Sequence, residues 1–261
     1  MKWARSLPGL MLLFTLIPAQ ANIESIDFSL SAGSELFRLA EKGEHPLNED
    51  GLRYFLALDA RMKINSRWSG EVIGKKYGGW VDYDGWLLEE DIPTPFKSDT
   101  NYNGWTVEAA LNRAIKTESI NGNENGWWLS FSLGYDTWRR TLSGYNEDYS
   151  ITFSRLGALF NHNNWRLQAG LKYPFHTTEE VSLSSIGYDD DIRLSPPGNL
   201  SLYAEASYRF FTSWSISLRY DSYRFDKSEE KPLRENGLIT AYAHQPETHY
   251  DIYGGRLSYH F

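Results

Sequence analysis

Along most of its length this chain alternates apolar and polar residues one by one. In WRLQAGLKYPF, residues 165–175, Trp165, Leu167, Ala169, Leu171, Tyr173 and Phe175 share one side of the pattern. Arg166, Gln168, Gly170 and Lys172 share the other. In LSLYAEASYRF, residues 200–210, Leu200, Leu202, Ala204, Ala206, Tyr208 and Phe210 oppose Ser201, Tyr203, Glu205, Ser207 and Arg209. Leu52 to Ile64 repeat the pattern, with Asp59, Arg61 and Lys63 between apolar neighbours. A period of two is the repeat of a strand with one apolar and one polar face. Ten segments read this way: 25–34, 52–64, 67–77, 104–116, 127–139, 149–160, 165–175, 200–210, 214–225 and 250–261. No domain linker, low-complexity tract or long amphipathic helix pattern interrupts them.

A soluble sandwich alternates too, so the connections have to discriminate. Those at 65–66, 117–126, 161–164 and 211–213 are mostly short, whereas 35–51, 78–103, 140–148, 176–199 and 226–249 are longer. Short turns at one end and long loops at the other are the habit of membrane-spanning barrels with an even number of strands. Both chain ends then fall on the short-turn, periplasmic side.

The start of the chain is consistent with export. Lys2 and Arg5 precede an apolar stretch from Leu7 to Ile17, and Ala19-Gln20-Ala21 fits a small-residue cleavage site. Residues 1–21 therefore read as a removed secretion signal, too short in its apolar part to span a bilayer. The 261-residue chain has no cysteine, which excludes a disulfide framework and thiolate metal sites. Its net charge of −8 becomes more negative once Lys2 and Arg5 leave, and repels nucleic acid.

Aromatic residues are abundant, with 10 Trp, 17 Tyr and 13 Phe, although no long apolar run follows Ile17. Trp68, Trp127, Trp165 and Trp214 each stand at the start of a strand that follows a short turn, where a girdle of amphipathic rings meets lipid headgroups. Tyr77, Trp105, Trp138, Tyr149, Tyr173, Tyr223 and Tyr250 lie at the opposite strand ends and are expected to form a second belt. The chain closes on YGGRLSYHF, with Tyr253, Leu257, Tyr259 and Phe261 on one face. Lipid offers no partner to backbone N–H and C=O groups, so strands can cross it only in a closed sheet.

On these features residues 22–261 resemble the bacterial outer-membrane β-barrel proteins. The fold expected is all-β, a ten-stranded antiparallel up-and-down transmembrane β-barrel. The resemblance implies residence in the outer membrane of a Gram-negative bacterium. It also implies that the last strand, ending in Phe261, is read as a signal by the barrel assembly machinery. Asp59, Arg61, Glu71, Arg166, Lys172, Glu205, Arg209, Arg219 and Asp221 have the parity of the interior, where ten strands leave more room than eight. One strand breaks the pattern: Ile151 and Phe153 share parity with Arg155, which a β-bulge near Arg155 would repair.

Ten strands, five surface loops and the sequence VDYDGW resemble the omptin family of outer-membrane proteases. That family carries an Asp-x-Asp pair before a Trp in its second loop, and the matching residues are Asp82, Asp84 and Trp86. Close carboxylates of this kind can share a proton and orient water. The opposing Asp-x-His pair of the family is missing from the fourth loop, where His176 precedes Glu179, Glu180 and the run Asp189 to Asp191. His176 with Thr177, Thr178 and Glu179 also prompts comparison with lipid A deacylases, although Thr would stand in for Ser and the parity of His176 is interior. Acidic side chains at 82–91, Glu89, Glu90 and Asp91 among them, otherwise read as a solvated loop. His45, His162, His244 and His249 read as solvated loop or turn residues. Arg139 and Arg140 are candidates to bind lipopolysaccharide phosphates, since a guanidinium matches phosphate oxygens.

The expectation is an integral barrel without enzymatic activity or cofactor, using its extracellular loops for ligand or surface interactions. Its partners would be outer-membrane lipids and lipopolysaccharide. An omptin-like endopeptidase using Asp82 and Asp84, and a narrow pore through the charged interior, are the alternatives.

Overall fold

A computed structural model describes residues 23–43, 46–89, 92–120 and 123–261. Residues 1–22, His45, Glu90 and Asp91 lie outside them. Ten long strands form the wall: β1 (Ser25–Lys42), β2 (Leu47–Asn65), β3 (Trp68–Glu89), β4 (Ile92–Ile120), β5 (Asn123–Thr141), β6 (Asn146–His162), β7 (Trp165–Val181), β10 (Ser201–Phe211), β11 (Trp214–Phe225) and β14 (Glu247–His260). Each pairs antiparallel with its neighbour. The ring shuts twice over: β10 joins β7 through pairs such as Tyr208 with Trp165, and β14 joins β1 through pairs such as Ser29 with His260. Among the described residues no wall edge is left unpaired.

The outer face carries the apolar half of the alternation. Ile26, Phe28 and Leu30 of β1, Leu56 and Leu58 of β2, and Leu129 and Phe131 of β5 point outward and are exposed. Leu202, Ile216, Leu218 and Leu257 do likewise. A water-soluble surface rarely presents contiguous apolar area on this scale. Trp127 faces Phe160, Trp165 faces Tyr208 and Trp214 faces Tyr259 across neighbouring strands, with ring centroids 4.7, 4.8 and 5.0 Å apart. Trp68 opens β3 beneath the Arg113 guanidinium, 5.6 Å from its ring. Aromatic rings therefore cluster on the outer wall at its short-turn end.

The wall extends well past the apolar band at the other end, and there the pattern inverts. Phe37, Leu39, Val81, Tyr83, Trp138, Tyr149, Ile151, Phe153, Tyr223, Phe225, Tyr250 and Ile252 turn inward and are buried. Arg38, Asp50, Asp82, Asp84 and Arg139 turn outward and are exposed. Lipid surrounds the lower wall and water the upper, so the same twofold strand puts its apolar side where water is absent in each case. Two expectations fail for this reason. The stretch 78–103 is not a loop but the continuation of β3 and β4, paired from Gly78–Asn103 to Glu89–Ile92. The expected second belt is absent from the outer face at five positions: Tyr77, Trp138, Tyr149, Tyr223 and Tyr250 pack inside. Trp105 and Tyr173 do face out.

Arg155 needs no bulge. Ile151, Phe153 and Arg155 all point inward, the first two into the aromatic interior and the third into its ion pairs. The irregularity sits across the way in β7, where Thr152 pairs with His176 and Phe153 with Pro174. That extra residue turns Phe175 and His176 both to the outside, against the interior parity expected of His176.

The long connections carry a short helical turn (Leu183–Ile186), β8 (Ile192–Leu194), β9 (Gly198–Asn199) and a hairpin of β12 (Lys231–Glu235) with β13 (Leu238–Ala243). Asn236 and Gly237 have φ of 51° and 78°, the left-handed pair demanded by a tight two-residue hairpin. Gly134 is required by packing, because a Cβ there would lie 2.2 Å from the Phe153 ring. Gly134→Val should therefore displace Phe153 and lower stability by about 1–3 kcal/mol. Urea unfolding of the barrel in lipid vesicles measures it, and an unchanged midpoint would contradict this packing.

Candidate functional site

Within the apolar band the bore is filled by charge in three linked groups. Nearest the short turns, Glu71 accepts from Arg61 at 2.9 Å and from Arg166 at 2.5 Å, while Arg256 reaches Glu205 at 2.7 Å and Asp59 at 3.3 Å. Above them, Glu35 holds Arg53 at 2.6 Å and Lys75 at 3.1 Å. On the facing wall Arg155 bridges Glu108 at 2.8 Å and Asp221 at 2.6 Å; Lys172 also reaches Asp221, at 2.9 Å, and Arg219 approaches the same carboxylate at 3.5 Å. Asp136 is tied instead by hydroxyls, from Tyr77 at 2.8 Å, Tyr223 at 2.9 Å and Thr106 at 2.9 Å. Burying ions is costly unless each has partners, and these are densely paired.

The aromatic layer closes the bore above this network. Trp138 stacks on Tyr149 at 5.1 Å and meets Tyr250 edge-on at 5.6 Å, while Phe153 meets Tyr223 at 6.0 Å. Arg53 lies over Phe37 with 4.1 Å to the centroid, and Lys172 over Tyr223 with 3.2 Å, so cations and rings interlock where the two layers meet.

Beyond the rings, above the apolar band, lies a second polar group with a different balance. Arg140, 3% exposed, donates to Glu49 at 2.8 Å and Glu147 at 2.7 Å and stands 3.7 Å from Glu41. Tyr102 also donates to Glu49, and Gln245 donates to Glu41 at 3.2 Å. Glu179 is buried nearby, with Oε2 unpartnered among the described residues. Burial pushes the Glu41 carboxyl up to about 7, with Arg140 opposing and Glu147 and Glu49 adding to the rise. Burial and then Glu147 raise Glu179 well above the carboxylate range. An apolar cap of Val181, Leu183, Leu194 and Leu233 forms a separate cluster in the loop-end region.

The expected site residues scatter. Asp82 and Asp84 both point away from the bore, and Asp84 pairs with Lys97 at 2.7 Å on the outer surface of the β3–β4 hairpin. His176 is exposed on β7. Asp189 accepts the backbone N–H groups of Asn236 and Gly237 at 2.9 and 2.7 Å, and Asp191 accepts the backbone N–H and the hydroxyl of Ser184, so this acidic run ties loops together. No three His, Asp or Glu side chains among the described residues are arranged to hold a metal ion. Arg139 is exposed and holds Asp148 through two bonds of 2.8 Å. Arg140 cannot serve lipopolysaccharide as expected, because it is buried among carboxylates. Arg53, Lys75, Glu35, Asp136 and Arg256 of the interior, and Glu41 and Glu49 above it, are not singled out by the sequence pattern, and Arg155 stands out in it only as a break in parity. Carrying parity past the strand ends assumed there would have found Glu35, Glu41 and Glu49.

A closed antiparallel ring with an apolar outside and a polar, plugged inside is an outer-membrane β-barrel. Among solved structures, the chain is similar to the outer membrane protease OmpT from Escherichia coli at 12% identity, covering 92% of this chain and 98% of that one, with a TM-score of 0.56. It is also similar to an outer membrane channel from Pseudomonas putida F1 (9% identity, coverage 94% and 99%, TM-score 0.42) and to Ail of Yersinia pestis (14%, 91% and 99%, 0.35). No family model and no curated protein matches the sequence. The architecture is thus omptin-like, and the likeness is one of fold.

Two outcomes test this interior. Glu35→Ala leaves Arg53 and Lys75 facing each other without their shared carboxylate, which should cost about 3–5 kcal/mol in urea unfolding. Glu41 keeps in the native state a proton that the unfolded chain releases between the ordinary carboxylate value of 4.5 and about 7. Stability should therefore fall as pH rises through that interval, on the order of 1 kcal/mol per pH unit. Glu41→Gln should flatten the slope of unfolding free energy against pH; an unchanged slope would show Glu41 ionised throughout.

Proposed function

We propose that this chain is a Gram-negative outer-membrane protein that neither conducts nor hydrolyses, and that it holds its long loop-end extension outside the cell for ligand or surface contacts. The observation that carries this reading is the aromatic layer: Phe153 is 0% exposed, Tyr250 1% and Tyr223 2%, in the middle of the bore. A narrow pore is disfavoured by the same rings. The outward aim of Asp82 and Asp84, with Asp84 bound to Lys97, likewise disfavours an omptin-like endopeptidase. In this reading residues 1–21 are removed on export. Lipopolysaccharide and outer-membrane lipids surround the wall, with Arg139 within reach of headgroup phosphates. Tyr253, Leu257, Tyr259 and Phe261 form the outward row that the assembly machinery would recognise; all four are exposed on β14 or at its end.

Planar bilayers containing the purified barrel should show no single-channel steps, whereas the Trp138→Ala, Tyr223→Ala, Tyr250→Ala triple variant should give small ones. Steps from the unmodified protein would restore the pore reading. Lipopolysaccharide-reconstituted protein should leave basic peptides intact; cleavage that disappears in Asp84→Ala would restore the endopeptidase.

A further inference from the structure

The plugged bore is not full. Between the ion pairs and the aromatic layer lies a cavity of ≈ 70 Å³, counted as room for the centres of water molecules. Its mouth can be placed from exposure along the bore. Side-chain exposure is 27% at Arg61, 22% at Arg166 and 23% at Glu205, then 16% at Arg219 and 13% at Arg155. At Asp221 it is 8%, at Arg53 2% and at Glu35 0%. Solvent therefore enters from the short-turn end and stops beneath the rings. The cavity is blind, and it faces the periplasm in the orientation adopted above.

Its charge does not balance. The network named above sets eight basic side chains against seven carboxylates, and the imbalance has an address. Asp221 is shared by Arg155, Lys172 and Arg219, the first two at 2.6 and 2.9 Å. Arg219 is left with a contact of 3.5 Å to a carboxylate already taken. It is also aimed by the wall. Its Cγ and Cδ would lie 3.0 and 3.3 Å from a Cβ added at Gly254, its partner on β14, so the glycine makes room for the stem to lie flat. A guanidinium in a half-wet, low-dielectric cavity binds anions more strongly than one at a surface, and its planar fork matches two oxygens.

We propose that this cavity is a binding site for a small, singly charged oxyanion, of carboxylate or phosphate type, held by Arg219. The anion would neutralise the spare charge beside Asp221, with the rings of Phe153 and Tyr223 bounding the site above. The site lies on the side of the aromatic layer away from the loops, so it is independent of what the loops contact.

The test is calorimetric titration of the full, folded barrel in zwitterionic detergent with sodium acetate and, separately, inorganic phosphate. One of the two should bind saturably at one site per chain, and the one that does identifies the source. Arg219→Gln should weaken binding about tenfold or more, while Arg38→Gln, an exposed control on the outer face of β1, should leave it unchanged. Absence of saturable heat with both anions, or equal affinity in Arg219→Gln, would overturn the proposal. Should Arg219→Gln fail to give the compact, heat-modifiable band of a folded barrel, crystals of the unmodified protein soaked in bromoacetate decide. With parallel soaks in arsenate as the phosphate-type probe, an anomalous bromine or arsenic peak beside the Arg219 guanidinium supports the site, and a cavity without either refutes it.

Discussion

Everything in this structure follows from a change of solvent along a single strand. A backbone group in hydrocarbon has no partner except another strand, so the wall must close on itself. Once closed, the wall has an inside and an outside whose polarity is dictated separately at each height. Along the lower wall Leu56 and Leu129 face lipid while Asp59 and Ser130 face the bore. Higher up Asp82 and Arg139 face water while Val81 and Trp138 face the bore. Apart from the extra residue in β7, the strands keep their register through this change. Only the residues change sides.

The inversion also organises the interior. At the level where outside polarity switches, the inside switches from ion pairs to rings, and the two meet through Arg53 on Phe37 and Lys172 on Tyr223. Charged groups sit where the lipid outside would punish them and where the bore can supply counter-ions. Aromatic groups sit where the wall emerges into water and a conventional core becomes possible. The upper barrel is in effect a small soluble β-structure mounted on a membrane-bound base, with its own buried polar group around Arg140.

This explains what was legible in the sequence. Ten strands, their short turns and the outward row ending at Phe261 were all readable, because lipid exposure writes an unambiguous period-two signal. The upper halves of β3 and β4 were not, because VDYDGW alternates with the opposite sense and so resembles a polar loop. Tyr149, Tyr223 and Tyr250 were misplaced by the same error, since an aromatic near a strand end reads as a belt unless its parity is counted against the inversion. Arg155 appeared to violate the pattern only because Ile151 and Phe153 were assigned to lipid. The Asn236-Gly237 turn was a missed short-range signal. The partnerships of Asp221, with Arg155, Lys172 and Arg219 from three strands, depend on how the ring closes and were beyond any local reading.

Closure through β14 has a kinetic corollary. Ser29 pairs with His260 and Lys42 with Glu247, so contacts spanning nearly the whole polypeptide form only after its final residues exist. Such a high contact order makes spontaneous folding slow. Until the last stave arrives, β1 and β11 present raw hydrogen-bonding margins to any neighbour. A version clipped before its final segment would stay an open, sticky sheet rather than a smaller cylinder.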